Sequence, residues 1–125
     1  VSQKAAEAAY TTSQECVETM RKAFERRRDL IVELASQIPG LEVNKPEGAF
    51  YLFPKCSSFF GKSYNGKTIN NSTDLAMFLL EVGHVATVGG DAFGDPYCFR
   101  MSYATSDDNI REALKRIKDT LALLS

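Results

Sequence analysis

Tryptophan is absent from this sequence, and histidine occurs once, as His84. A histidine-rich metal centre is therefore excluded. Cysteine occurs three times, as Cys16, Cys56 and Cys98, and no two of these form a CxxC pair. A tetrahedral zinc site needs four ligands, as a rule in close pairs, so no metal site is expected. An odd number of thiols reads as reduced cysteines in a cytoplasmic protein. No apolar run is long enough to span a bilayer, and no signal peptide is visible. An excess of one charge is missing too: 15 Lys and Arg stand against 16 Asp and Glu. Nothing in that balance recruits nucleic acid or an anionic membrane. The one basic run, Arg26 to Arg28, follows Glu25 and precedes Asp29, and reads as a solvated helix face.

What is present is the composition of a globular domain. The sequence has 125 residues, 44% hydrophobic and 25% charged, enough for one domain with its own core. Ser2 caps a short alanine-rich helix to Tyr10. Thr12 and Glu15 have the spacing of a capping box, and a long helix is expected from about Ser13 to Ile38, ended by Pro39-Gly40. Leu41 and Val43, then Ala49 to Phe53, read as an antiparallel pair turned at Pro46 to Gly48. Cys56 to Asn71 reads as a loop with turn signals. Asn71 or Ser72 caps a helix from Thr73 to Val82, with Gly83 as its stop. HVATVGG and CFRMSYA are strands, and Ser106 caps a last helix with Asp107 and Asp108 at its positive end. The order α-α-β-β-α-β-β-α gives an α+β domain, helices packed on a small, largely antiparallel sheet.

No complete catalytic set emerges from the residues. His84 reads as a turn histidine, a dyad with a distant cysteine being the alternative. Asp107 and Asp108 are better explained by the helix start than by acid–base work. In TVGGDAFG, Thr87 to Gly94, two glycines allow close backbone approach. No helix N-terminus follows them, so a tight turn or lid-like loop is expected and a phosphate cradle is not. In the last strand Cys98, Arg100 and Ser102 share one face, while Phe99, Met101 and Tyr103 share the other. The aromatic face belongs in a core, so Arg100 looks towards a cleft, a partner or solvent. Its planar fork fits a carboxylate in a way lysine cannot copy. Sequence physics alone favours a structural ion pair or a solvated edge for it. In GAFYLF one side belongs to the core, and the other lines a pocket or packs on a neighbouring domain.

PEGAFYLFP, LLEVGHVATVGGDAFG and FRMSYATSDDNIREALKRI, in that order, resemble the C-terminal small domain of fold-type I, pyridoxal-phosphate-dependent aminotransferases, nearest the aspartate aminotransferase-like branch of class I. The opening SQKAAEAAY resembles the segment by which that family leaves its large domain. The resemblance implies one small domain over residues 1–125, with residues 1–12 as the connection from an N-terminal large domain. The lack of a leader before Val1 fits a piece of a longer protein. The resemblance further implies that Arg100 grips the α-carboxylate of the amino-acid or 2-oxo-acid substrate, that Phe50 borders the active site, and that Val88 to Gly94 takes part in closure. Many members carry Pro-Gly where Gly89-Gly90 stand here, which implies a looser loop. Pyridoxal 5′-phosphate is the implied cofactor. Its Schiff-base lysine, its pyridinium partner and most phosphate ligands belong to the large domain, and no lysine here sits in that motif. Catalytic and cofactor-binding residues are thus expected outside this chain. The complete enzyme is expected to be a homodimer, and this chain is expected to be inactive alone. The rival reading is a stand-alone α+β module that binds an amino acid or organic acid through the same arginine. An interaction domain with exposed aromatics is a third.

Overall fold

The computed structural model describes residues 1–125. Four helices form: α1 (Ser2–Thr11), α2 (Glu15–Ser36), α3 (Ser72–Glu81) and α4 (Asp107–Leu121). Strands β1 (Tyr51–Leu52), β4 (Val88–Gly89) and β5 (Phe99–Ser102) make an antiparallel sheet with β5 in the middle. Strands β2 (Ser63–Tyr64) and β3 (Lys67–Thr68) form a separate hairpin. This is the α+β architecture expected from the sequence.

The caps explain where two helices start. The Asn71 side chain accepts from the Asp74 N–H at 2.8 Å, and Ser106 Oγ accepts from the Asn109 N–H at 3.2 Å, each satisfying an otherwise orphaned donor. The expected capping box on α2 does not form. Thr12 Oγ1 instead donates to the Ala8 carbonyl at 2.6 Å, closing α1, and the residue before α2, Gln14, makes no side-chain cap bond to it.

The core lies between the sheet and α2, α3 and α4. Leu52 sits opposite Met101, and both are buried with Phe99, Tyr103, Ile31, Leu79 and Ile117 in one cluster. Ile110, Leu114, Ile117 and Leu121 are the buried stripe of α4, as its helical period requires. By contrast α1 buries no residue.

Four local features depart from the sequence reading. Leu41 to Val43 does not pair with Ala49 to Phe53; it makes one bridge, Glu42 to Lys55. The backbone of β1 pairs with β5 instead, and Ala49 at φ 58° bends the chain before it. Within the expected loop, Asn65 (φ 47°) and Gly66 (φ 78°) make the doubly left-handed turn that joins β2 to β3, which is what an Asn-Gly pair favours. After α3 the left-handed residue is His84 (φ 54°), not Gly83. Gly83 is needed for packing, since a Cβ there would lie 2.6 Å from Thr120 Oγ1 and 2.9 Å from the Leu79 carbonyl. Finally, the arginine run is tied down. Arg26 donates twice to Asp107, at 2.9 and 3.1 Å, which joins α2 to the start of α4. Arg28 pairs with Asp29 at 2.9 Å.

Candidate carboxylate-binding site

The face of the sheet turned away from the core carries Tyr51 opposite Ser102 and Val88 opposite Arg100. Alternation along β5 puts Phe99 and Met101 in the core and leaves Arg100 half-buried and Ser102 exposed. Cys98 departs from this pattern. It precedes β5 and is buried, its thiol donating to Asp95 Oδ2 at 3.3 Å.

Arg100 is held between two rings. Its guanidinium carbon lies 4.3 Å from the centroid of Tyr51 and 3.9 Å from that of Phe93. Phe93 in turn meets Phe53 edge-on at 6.2 Å. Stacking of this kind fixes the plane of a guanidinium and leaves its N–H edge for a partner. No carboxylate of this chain takes that edge: Arg100 takes part in none of the ion pairs or side-chain hydrogen bonds. Of the two roles that sequence physics favoured, an ion pair or a solvated edge, the ion pair is absent, and Arg100 is half-buried. A planar, oriented, unpaired fork on an open aromatic face suits a carboxylate.

Phe93 is delivered by a 3-10 turn, Gly90–Phe93, that is packed and not loose. A Cβ on Gly90 would lie 2.0 Å from the Asp95 carbonyl oxygen and 2.3 Å from that of Cys98; one on Gly89 would lie 2.6 Å from Thr73 Oγ1. The glycines serve close approach, with Gly89 at φ −57°. Contrary to expectation a helix N-terminus does stand behind this loop, that of α3. It forms no anion cradle, because the Gly90 N–H is already taken by the Cys98 carbonyl at 2.8 Å and Ser72 Oγ at 3.1 Å. Asp91 Oδ2 accepts from Thr73 Oγ1 at 3.3 Å.

Phe50 makes no contact with Arg100 among the ring contacts. It is 39% exposed, with its ring 6.0 Å from Phe24 and 4.5 Å from Tyr51. The plates against Arg100 are Tyr51 and Phe93, which the sequence reading did not single out. Alternation in GAFYLF puts Tyr51 opposite Phe50, but only the strand register brings it to Arg100. Nothing local marks Phe93. His84 is exposed, and Cys56 and Cys98 are buried elsewhere, so no dyad forms. Burial pushes the Cys56 thiol up to about 12 and the Cys98 thiol up to about 11, which keeps both protonated and unreactive.

A sequence model of the family described as aminotransferase class I and II matches residues 1–117. The chain belongs to that family. Among its relatives are an aspartate aminotransferase of Rhizobium meliloti (strain 1021), 46% identical over 94% of this chain, and a bifunctional aspartate aminotransferase and glutamate/aspartate-prephenate aminotransferase of Petunia hybrida, 44% identical over 99%. The crystal structure of an aspartate aminotransferase from Rhizobium meliloti superposes with a TM-score of 0.94 at 44% identity over 99% of this chain. An alanine aminotransferase from Pyrococcus furiosus gives 0.80 at 27% identity over 92%. The chain spans 27%, 29% and 31% of the Petunia, strain 1021 and crystallised Rhizobium proteins, and 28% of the Pyrococcus one. This aminotransferase chain therefore corresponds to less than a third of those polypeptides.

The residues present do not fit a pyridoxal-phosphate site. No lysine lies against Arg100, and the lysines of this chain are exposed or half-buried at its surface. The glycine loop has no free N–H at Gly90 for a phosphate. No helix is long and apolar enough to cross a membrane.

Proposed function

We propose that this chain is the small domain of a pyridoxal-phosphate-dependent aminotransferase and supplies the grip on the substrate α-carboxylate. The observation that carries the proposal is Arg100, stacked on Tyr51 and Phe93 and free of any acidic partner. In this reading the fork of Arg100 orients the carboxylate of an amino acid or 2-oxo acid, and Phe50 borders the same space. Positioning of that kind lowers the entropic part of a barrier. The cofactor would supply the electron-sink chemistry from residues of the missing large domain. The substrate class is an aspartate-type amino acid with a 2-oxo-acid acceptor, in keeping with the names of the relatives. Residues 1–12 form the connection to the large domain; that α1 buries nothing within this domain supports this. A homodimer and a cytoplasmic location complete the reading, the latter supported by three free thiols.

The test is the intact mass and visible spectrum of the native gene product. A polypeptide about three times longer, yellow with bound cofactor and moving an amino group from aspartate to 2-oxoglutarate, is expected. A native product of 125 residues, colourless with added pyridoxal phosphate, would overturn the enzyme reading and leave a stand-alone carboxylate-binding module.

A further inference from the structure

Tyr51 is the plate of Arg100 that comes from the chain leading into β1, and that approach is weakly held. Val43 packs against the core; beyond it, to Ala49, the polar ties to the rest of the domain are an ion pair, Lys45 to Asp29 at 2.9 Å, and the Tyr103 hydroxyl, which donates to the Ala49 carbonyl at 3.1 Å. Ala49 sits at φ 58°, a left-handed conformation that an alanine reaches only against its own sterics. Beneath the bend is a cavity of about 290 Å³ lined by Phe24, Arg28, Glu47, Ala49 and Tyr103 among others, so packing alone does not hold the bend in place. Tyr103 is 1% exposed, and its own N–H donates to the Phe50 carbonyl at 2.9 Å. Backbone and hydroxyl of one rigid residue thus grip successive carbonyls, Phe50 and Ala49, immediately before Tyr51.

We infer that Tyr103 is a positioning residue: its hydroxyl holds the left-handed bend at Ala49, and the bend sets the Tyr51 ring against Arg100. This inference rests on the reading of Arg100 as the carboxylate grip. Strain kept in place by surrounding contacts is a usual mark of a functional segment. Here the side-chain contact on the bend is a single hydroxyl, from the residue that directly follows the strand carrying Arg100.

The test is Tyr103→Phe in the full-length enzyme, which keeps the ring in the core and removes the bond. KM for aspartate, and Kd for the unreactive dicarboxylate succinate, should rise roughly 3- to 10-fold, the scale of one hydrogen bond, with kcat little changed. Amide exchange of Tyr51 and Leu52 should quicken in parallel. Ala49→Val, at an exposed site, makes the bend unfavourable with Tyr103 intact and should raise KM and Kd likewise. Unchanged KM, Kd and exchange in both variants would overturn the inference. Arg100→Lys run alongside separates the two layers. If it too leaves KM and Kd unchanged, the carboxylate reading fails, and exchange at Tyr51 and Leu52 then decides the clamp by itself.

Discussion

Replacing Arg100 by lysine keeps the charge and removes the plane. The guanidinium lies 4.3 Å from one ring and 3.9 Å from the other, and an ammonium cannot fill that slot flat. Lysine also offers a carboxylate one directed donor where arginine offers a parallel pair. A charge-assisted hydrogen bond is worth about 1.5–3 kcal/mol, and each stacked contact about 0.5–1 kcal/mol. A loss of about 3 kcal/mol follows, which is roughly 10²-fold in kcat/KM. The assay is steady-state transamination by the full-length enzyme, with thermal unfolding of the same samples. Stability should fall by no more than about 1–2 kcal/mol, the scale of the two cation–π contacts, because Arg100 has no ion pair to break. An unchanged kcat/KM, with or without a drop in Tm, would refute the reasoning and return Arg100 to a structural role.

Phe93→Ala removes one of the two plates on Arg100, a ring that is 44% exposed; kcat/KM should fall about 5-fold, the scale of one cation–π contact, with stability down by about 1 kcal/mol in a thermal melt. Gly90→Ala forces a Cβ to 2.0 Å from the Asp95 carbonyl, and should destabilise by about 2–3 kcal/mol, read as a lower urea midpoint. In native protein a thiol reagent at pH 8 should label the exposed Cys16 and spare buried Cys56 and Cys98 until the chain unfolds. Cys56 is raised from 9.0 to about 12, so the unfolded chain ionises first. Its contribution to stability is full below pH 9 and is lost as pH rises towards 12. The urea midpoint should fall through that window, less steeply in Cys56→Ala.

Hydrophobic period and short-range caps made the helices legible. The apolar spacing of α4 and the side chains of Asn71 and Ser106 act within a turn or two, and they act the same way in any fold that contains them. Alternation in β5 likewise put Phe99 and Met101 in the core and Arg100 on the other face before any partner strand was known. The Asn65-Gly66 turn was local as well, but its strands are two residues each and too short for a period to show. The expected pairing of Leu41 to Val43 with Ala49 to Phe53 failed for a different reason. Strand pairing is a competition, and β5 took the backbone of β1.

The sequence by itself determined the four helices, the α+β class and the face of β5 that carries Arg100, because each rests on residues adjacent in the chain or on one face of one element. Tertiary structure decided what Arg100 meets. Tyr51 comes from a distant segment and Phe93 from the turn before β5, and no local pattern says that their rings will close on one guanidinium, or that no acid will. It also decided that Gly83, Gly89 and Gly90 are glycines for want of space, since a Cβ clash depends on which other backbone passes by.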